Sequence, residues 1–192
     1  KEAEIQLSDS GFAYIPISKL SPLASQLIAT RELFGLRPPL HTVVRMLNPL
    51  SAPLSLMGVF HPNFAAIHQQ AAQLLGLKHA LICKGEGGEF ERIPDRAVEL
   101  NGLSDSETWL ESWPNLRKPG LQTKPQRLNL NHYRSVWDGE VDDLYARMAV
   151  TGTLALVIRA LGLADQPVEA HQIAESWWQN RHQTDPVLEA AS

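Results

Sequence analysis

The chain has 192 residues and a formal net charge of −4, with 44% apolar and 20% charged residues. This composition is typical of a folded globular domain and excludes intrinsic disorder, which needs low hydrophobicity and high net charge. A single cysteine excludes an internal disulfide framework and a cysteine-rich zinc module. The single cysteine also fits a cytoplasmic protein. The apolar runs are shorter than the roughly 20 residues of a membrane-spanning helix, so we expect no membrane partner.

The N-terminal quarter of the chain predicts one strand and two short helices. Residues 11–16 have the composition of a short strand that ends at a proline. Ser21 followed by Pro22 is typical of a helix N-cap and first helical position, and Gly35 is a typical helix stop. A second short helix is predicted over about 38–47, where an Asn-Pro pair closes it.

The clearest unit lies between residues 54 and 83. Residues 55–60 and 79–83 are apolar runs of strand length, and a helix between them is predicted to be capped by Asn63 and to end at Gly76. Its predicted core-facing residues are Phe64, Ile67, Ala71, Leu74 and Leu75. A strand, a crossover helix and a strand imply parallel pairing through a right-handed connection. The predicted fold class is therefore α/β, with a mostly parallel sheet flanked by helices.

The second half of the chain predicts mainly helices. Residues 96–100 favour a strand, and the prolines and glycine over 114–127 indicate a loop-rich excursion. A helix from Val141 is apolar on both faces, which predicts burial all round, and Gly162 ends it. A last helix is predicted to start near Pro167.

A glycine-rich stretch, Gly85–Gly88, follows the second apolar strand. It lacks the spacing of a dinucleotide fingerprint and the Lys-Ser/Thr pair of a P-loop, but ligands of open α/β sheets bind beyond the carboxyl ends of strands. Backbone N–H groups of such a loop can bind an anion, and a tight turn is the alternative interpretation. Glu86, Glu89 and Glu91 could hold Mg²⁺ together with substrate phosphates, or form a solvated acidic loop.

Two long stretches of the chain contain no Asp or Glu. The first runs over 33–85, and its basic residues are Arg37, Arg45, Lys78 and Lys84. The second runs over 114–137, and its basic residues are Arg117, Lys118, Lys124, Arg127 and Arg134. Such surfaces favour anionic ligands, and basic residues interleaved with aromatic ones suit phosphate contact and base stacking. The alternatives are a largely buried segment for the first stretch and a solvated loop for the second.

Several motifs in register resemble those of anthranilate phosphoribosyltransferases. Residues 30–37 (TRELFGLR) are similar to that family's x-R-x-x-L-G-x-R-T helix, and residues 47–50 (LNPL) to its L-x-N-P segment. Residues 56–62 (LMGVFHP) are similar to x-x-G-V-x-x-P, and residues 84–91 (KGEGGEFE) to H-G-x-D-G-x-D-E. The spacing is kept from about residue 11 to 91, and the helical tail fits to about residue 182.

The resemblance implies an α/β domain of the kind shared with pyrimidine nucleoside phosphorylases. Residues 1–182 are then expected to be the C-terminal portion of this phosphoribosyltransferase-like domain, and residues 183–192 a tail. The family's glycine-rich loop for phosphoribosyl pyrophosphate lies outside these residues. The family also implies a homodimer, through an interface that lies mostly outside this chain.

The resemblance also implies two site residues, with departures beside them. Arg31 matches the arginine that contacts the carboxylate of anthranilate, a task that suits a guanidinium fork. Glu91 matches the second carboxylate of the family's Asp-Glu pair, which binds Mg²⁺, whereas Phe90 replaces the first. Further departures are Val44–Arg45 in place of a Gly-Pro pair and Pro38 in place of a threonine.

Two functions follow from these features. The first is pentosyl transfer from phosphoribosyl pyrophosphate to an unknown acceptor, related to tryptophan biosynthesis, with Arg31 orienting the acceptor and Glu91 holding Mg²⁺. The alternative is a non-enzymatic DNA-binding protein on the same fold, because His41–Thr42, Arg45 and the loop over 86–89 resemble a diverged, nucleic-acid-binding branch of the family. Its predicted phosphate contacts are Arg37, Arg45, Lys84, Arg117, Lys118, Lys124 and Arg127.

Overall fold

The computed structural model describes residues 2–35, 40–117 and 129–182, and the chain divides into two compact units, residues 1–47 and 48–192. The first unit contains α1 (Glu2–Ser10), α2 (Ile17–Leu20), α3 (Pro22–Ala29), α4 (Arg31–Phe34), α5 (Leu40–Val43) and a 3₁₀ turn (Val44–Met46). The second contains β1 (Leu54–Val59), α6 (Asn63–Leu74), β2 (His79–Lys84), β3 (Val98–Ser104), β4 (Glu107–Trp113), α7 (Leu130–Asp138), α8 (Leu144–Ala160) and α9 (Pro167–Gln179). Within the described ranges, no helix has the length and apolar character needed to cross a membrane.

The helix ends of the first unit follow the capping residues of the sequence. The Ser21 hydroxyl accepts a 3.2 Å hydrogen bond from the N–H of Ala24, and Pro22 takes the first position of α3. Gly35 ends α4 with a φ of 66°, which glycine adopts without steric penalty. The predicted strand over 11–16 is wrong, because the described part of this unit is helical and offers a strand no partner.

Four strands of the second unit form one sheet in the order β1-β2-β3-β4. β1 and β2 are parallel, with Leu54 opposite His79 and Val59 opposite Lys84, and α6 is the crossover between them. The pairs β2–β3 and β3–β4 are antiparallel. The α/β class and the strand-helix-strand unit are therefore confirmed, but the described sheet is mixed rather than mostly parallel.

Strands β3 and β4 of the antiparallel part form a hairpin with a two-residue connection. Its connecting residues, Asp105 and Ser106, have positive φ values of 48° and 70°, which is the pattern of a type I′ turn. The sequence lacks the Asn-Gly or Asp-Gly pair by which such turns are usually recognised. As a result, only β3 was predicted, over residues 96–100, and β4 was missed.

Helix α6 packs on the sheet with a face other than the predicted one. Its buried residues are Ala65, His68, Gln69 and Ala72. The side-chain amide of Gln69 donates hydrogen bonds to the carbonyl oxygens of Gly102 (2.6 Å) and Trp109 (3.0 Å), so a polar residue connects the helix to the hairpin. The residues predicted to face the core, Phe64, Ile67, Leu74 and Leu75, are 42–89% exposed. That prediction is wrong because small residues and a satisfied amide make the contact.

Helices α8 and α9 cover a core that includes alternate residues of β2. Leu81 and Cys83 belong to this core together with Leu156 of α8 and Ala170 of α9. Gly162, with a φ of 71°, follows the end of α8 as predicted. The expected burial of α8 on all sides is wrong, because part of one side is open to solvent: Leu144 and Val150 are 46% and 44% exposed.

Candidate functional site

The candidate site lies at the C-terminal edge of the parallel pair, where β1 and β2 end together. The N–H of Gly85 donates a 3.0 Å hydrogen bond to the carbonyl oxygen of Val59, which joins the start of the glycine-rich loop to the end of β1. Lys84 is the last residue of β2 and is exposed. This is the position at which open α/β sheets bind ligands, because the loops that follow neighbouring strands converge there.

Two glycines let the loop fold back over the strand ends. A Cβ on Gly58 would lie 2.1 Å from the carbonyl carbon of Glu89 and 2.5 Å from the carbonyl oxygen of Gly88. A Cβ on Gly85 would lie 1.9 Å from the carbonyl oxygen of Glu89. Neither approach leaves room for a side chain, so residues 58 and 85 must be glycine for the loop to pack on β1 in this way.

The side chain of Glu89 closes this loop. Its two carboxylate oxygens accept hydrogen bonds from the N–H of Glu86 (2.9 Å) and the N–H of Gly87 (2.7 Å). Two successive N–H groups that converge on one anion form a small anion-binding concavity. In this structure a carboxylate of the same chain occupies the two N–H groups, which fits both interpretations of the glycine-rich stretch, an anion-binding loop and a tight turn.

Basic and aromatic side chains flank the loop. Lys84 and Arg96 both line a small cavity of about 110 Å³, and a guanidinium nitrogen of Arg96 lies 4.0 Å from a carboxylate oxygen of Glu86. Just beyond β1, the ring of His61 packs edge-on against Phe60, with centroids 4.6 Å apart. Sequence reasoning missed Arg96, because its only sequence signal is a position twelve residues after Lys84 in an irregular segment.

A larger cavity of about 720 Å³ lies between the segment 89–91 and helix α8. Its apolar lining includes Phe90, Tyr133, Tyr145, Ala146, Ala149, Val150, Leu154 and Val157. Its polar lining is Glu89, Glu91, Asp143 and Thr153, so the charged side chains that line it within the described residues are all acidic. A phosphate would therefore not be held here by lining arginines or lysines.

Two titratable groups near this cavity have shifted pKa values. Burial raises the pKa of the Cys83 thiol to about 12, so it stays protonated and is unsuited to act as a nucleophile. Burial alone would also raise the pKa of Asp143, but the N–H of Ala146 and the ring of His132, 2.8 Å from the carboxylate, lower that pKa below its usual value. Asp143 is thus a carboxylate that caps α8 and pairs with His132.

The described residues do not form a metal site by themselves. They contain no group of three or more His, Cys, Asp or Glu side chains placed to hold an ion. At the position implied by the resemblance, Glu91 lines the large cavity next to an apolar Phe90, and the carboxylate of Glu89 is bound to the loop. Mg²⁺ prefers an octahedron of oxygen ligands. This donor set does not supply it.

The amino-acid sequence is similar to known proteins over most of its length. The chain is 26% identical over 180 residues to the anthranilate phosphoribosyltransferase of Burkholderia cenocepacia (strain HI2424), an alignment that covers 91% of this chain and 52% of the relative. It is 28% identical over 178 residues to that of Burkholderia orbicola (strain MC0-3), covering 90% and 51%. The chain resembles the anthranilate phosphoribosyltransferases. The resemblance predicted from the motifs is confirmed.

A shorter alignment, with the anthranilate phosphoribosyltransferase of Cupriavidus pinatubonensis (strain JMP 134 / LMG 1197), reaches 34% identity over 97 residues, which is 50% of this chain and 26% of the relative. No protein-family model matches the chain. In the longer alignments the chain spans about half the length of these phosphoribosyltransferases.

The predicted site residues lie in both units. Arg31 begins α4 and is exposed, and Arg45 lies half-buried in the 3₁₀ turn of the first unit. Lys84 and Glu91 lie in the second unit, on either side of the glycine-rich loop. Four predicted phosphate contacts lie outside the described residues: Arg37, Lys118, Lys124 and Arg127.

Arg117, a further predicted phosphate contact, has a buried side chain, in contrast to the exposed Lys84. Its side chain is only 7% exposed, and its Nε lies 2.6 Å from a carboxylate oxygen of Asp95. Its guanidinium also lies 5.7 Å from the ring centroid of Tyr145. As placed here, Arg117 connects the loop after β4 to α8, and a phosphate contact would have to compete with Asp95.

Proposed function

We propose that this chain is the C-terminal portion of a phosphoribosyltransferase-like protein. In this proposal, a phosphorylated ribose binds at the C-terminal edge of the β1–β2 pair, beside the glycine-rich loop. The observation that carries the proposal is similarity to anthranilate phosphoribosyltransferases over 91% of the chain. The parallel β1–β2 pair supports it, because Lys84 and Arg96 stand at its C-terminal edge, where α/β sheets bind ligands. A homodimer through residues outside this chain stays a prediction.

The proposed reaction is transfer of a pentosyl group. A nitrogen of the acceptor forms a bond to C1′ of the ribose, the bond from C1′ to the pyrophosphate oxygen breaks, and pyrophosphate and a proton leave. Lys84 and Arg96, both of the second unit, would bind phosphate oxygens. That Arg31 orients an acidic acceptor stays a prediction from the resemblance. Phe90 beside Glu91 supports a departure from the Asp-Glu pair that the resemblance implies, and the identity of the acceptor stays open.

A second function, binding of single-stranded nucleic acid without catalysis, is supported by a separate observation. The exposed rings of Phe60 and Phe64 both pack against His61 at the end of β1, with centroid distances of 4.6 and 6.2 Å. Lys84 ends the neighbouring strand. Exposed aromatic rings beside a basic residue suit base stacking with phosphate contact.

The test is calorimetric titration of the protein with phosphoribosyl pyrophosphate and Mg²⁺, comparing the wild type with Lys84→Ala and Lys78→Ala. Both lysines are exposed, but Lys78 lies just before the N-terminal end of β2, so it is a matched control of equal charge. Loss of one phosphate contact should weaken binding about tenfold in Lys84→Ala. We expect Lys78→Ala to bind as the wild type does.

Fluorescence anisotropy with single-stranded DNA in a salt series distinguishes the two functions. If the protein fails to bind millimolar phosphoribosyl pyrophosphate, the transferase proposal is wrong. DNA binding that weakens steeply with salt, and weakens further in Lys84→Ala but not in Lys78→Ala, would then favour the second function. Binding of neither ligand would contradict both.

A further inference from the structure

We infer that the glycine-rich loop is a binding site for a small oxyanion such as pyrophosphate and that the carboxylate of Glu89 is its built-in competitor. The inference rests on the proposed function only for the choice of a phosphate-type ligand. The donors are the N–H groups of Glu86 and Gly87, which lie 2.9 and 2.7 Å from the two carboxylate oxygens. Two neighbouring donors that hold one oxygen each match the oxygen spacing of a phosphate as well as that of a carboxylate.

The backbone of the loop is fixed by close packing, whereas the side chain of Glu89, which occupies the two N–H donors, is at the surface. Gly58 and Gly85 contact the backbone of Glu89 so closely that neither could carry a Cβ, which fixes the path of the chain. The side chain of Glu89, in contrast, belongs to an exposed residue. Rotation of that side chain would uncover both donors without moving the loop, so exchange of one anion for another needs no refolding.

Two basic side chains near the loop favour an incoming anion of higher charge over the acidic side chains of the same segment. Lys84 immediately precedes the loop, and Arg96, which lies 4.0 Å from Glu86, lines the same small cavity as Lys84. The Glu89 carboxylate is tethered next to its donors and so competes at a high effective concentration, which lowers the affinity of any external anion. Pyrophosphate carries more charge and more acceptor oxygens than a carboxylate, and is therefore the anion class expected to displace it.

The experiment titrates inorganic pyrophosphate, without Mg²⁺ and at constant ionic strength, into the wild type, Glu89→Gln, Glu89→Ala and Glu107→Ala. Glu107 is an exposed glutamate at the start of β4, so its variant controls for the loss of one negative charge. We expect affinity to rise at least about tenfold in Glu89→Ala. Glu89→Gln should show a smaller gain, because its amide offers one acceptor oxygen, and Glu107→Ala should bind as the wild type does.

Amide chemical shifts give a readout at the site that does not depend on any variant. In the wild type, pyrophosphate at tens of millimolar should shift the N–H resonances of Glu86 and Gly87 if it displaces the carboxylate. Unchanged resonances there, or an affinity that does not rise when Glu89 is removed, would overturn the inference. A merely structural Glu89 would lower the melting temperature on removal and leave anion affinity flat. Pyrophosphate binding to the loop without phosphoribosyl pyrophosphate binding would refute the transferase proposal alone.

Discussion

The guanidinium of the buried Arg92 lies 2.6 Å from Nε2 of the half-buried His171, and both residues belong to the second unit. An arginine has only donors, so it donates to Nε2 and the imidazole is neutral with its proton on Nδ1. Arg92 also donates to the carbonyl oxygen of Pro114 (2.7 Å), and its guanidinium lies 5.2 Å from the ring centroid of Trp113. Burial lowers the pKa of Arg92 to about 10, so the side chain remains charged at neutral pH.

Replacing Arg92 should strongly destabilise the second unit. Arg92→Ala removes a side chain that is 1% exposed and leaves the carbonyl of Pro114 and Nε2 of His171 without this donor. We expect the free energy of unfolding to fall by about 3 kcal/mol or more, measured by urea denaturation. Arg134→Ala, at an exposed position of α7, is the control and should change stability by less than about 0.5 kcal/mol. Equal effects of the two variants would contradict this assignment.

The stability of the protein should depend on the protonation of His171. Burial, and next the charge of Arg92, lower the pKa of His171 from its usual 6.5 to about 4. The unfolded chain therefore binds this proton more readily than the folded chain, so stability falls as the pH decreases from about 6.5 to about 4.

His171→Gln keeps an acceptor oxygen but cannot titrate, so it isolates this contribution. As the pH decreases from about 6.5 to about 4, the wild type should lose up to about 3 kcal/mol of unfolding free energy relative to the variant. Urea denaturation at several pH values between 4 and 7 measures it. A difference that stays constant with pH would show that His171 does not titrate as described.

Gly58→Ala should disrupt the candidate site, because the new Cβ would meet the backbone of Gly88 and Glu89 at 2.1–2.5 Å. Backbone atoms cannot rotate away as a side chain does, so we expect a loss of about 3 kcal/mol or more. Gly76→Ala is the comparison: its φ is 75°, but a Cβ there would enter open space, so only about 1 kcal/mol of backbone strain is expected. Thermal denaturation should rank the two variants in this order, and the reverse order would refute the packing argument.

Asp143 should stabilise α8 through both of its contacts. Asp143→Ala removes the cap of the Ala146 N–H (3.0 Å) and the partner of His132, and should cost about 1–2 kcal/mol at neutral pH. Asp143→Asn keeps the cap and should cost less. Because the pKa of Asp143 is lowered in the folded state, the stability it adds is present above its unfolded pKa of 3.8 and is lost as pH falls through the lower folded value. Equal losses at pH 7 and pH 2 would argue against it.

Local features of the sequence were predicted well where the signal lies within a few residues. The cap at Ser21, the stop at Gly35 and the strand-helix-strand unit over 54–84 all appear as expected. The buried face of α6 and the strand β4 were not predicted. The face of α6 is decided by distant partners, because the carbonyl oxygens of Gly102 and Trp109 accept hydrogen bonds from the amide of Gln69, 33 and 40 residues away. The hairpin was missed for a local reason: Asp105 and Ser106 are not the Asn-Gly or Asp-Gly pair that usually marks its turn.

The sequence by itself determined the parallel β1–β2 unit, the glycine-rich loop at its end and the resemblance to phosphoribosyltransferases, because each depends on residue types at short, regular spacing. Only the tertiary structure decided that Glu89 fills the loop, that Arg92 is buried against His171 and that Arg117 pairs with Asp95. A charged residue has the same local signal whether it is solvated, buried or bound to the backbone. Its role depends on which groups the folded chain brings within hydrogen-bonding distance.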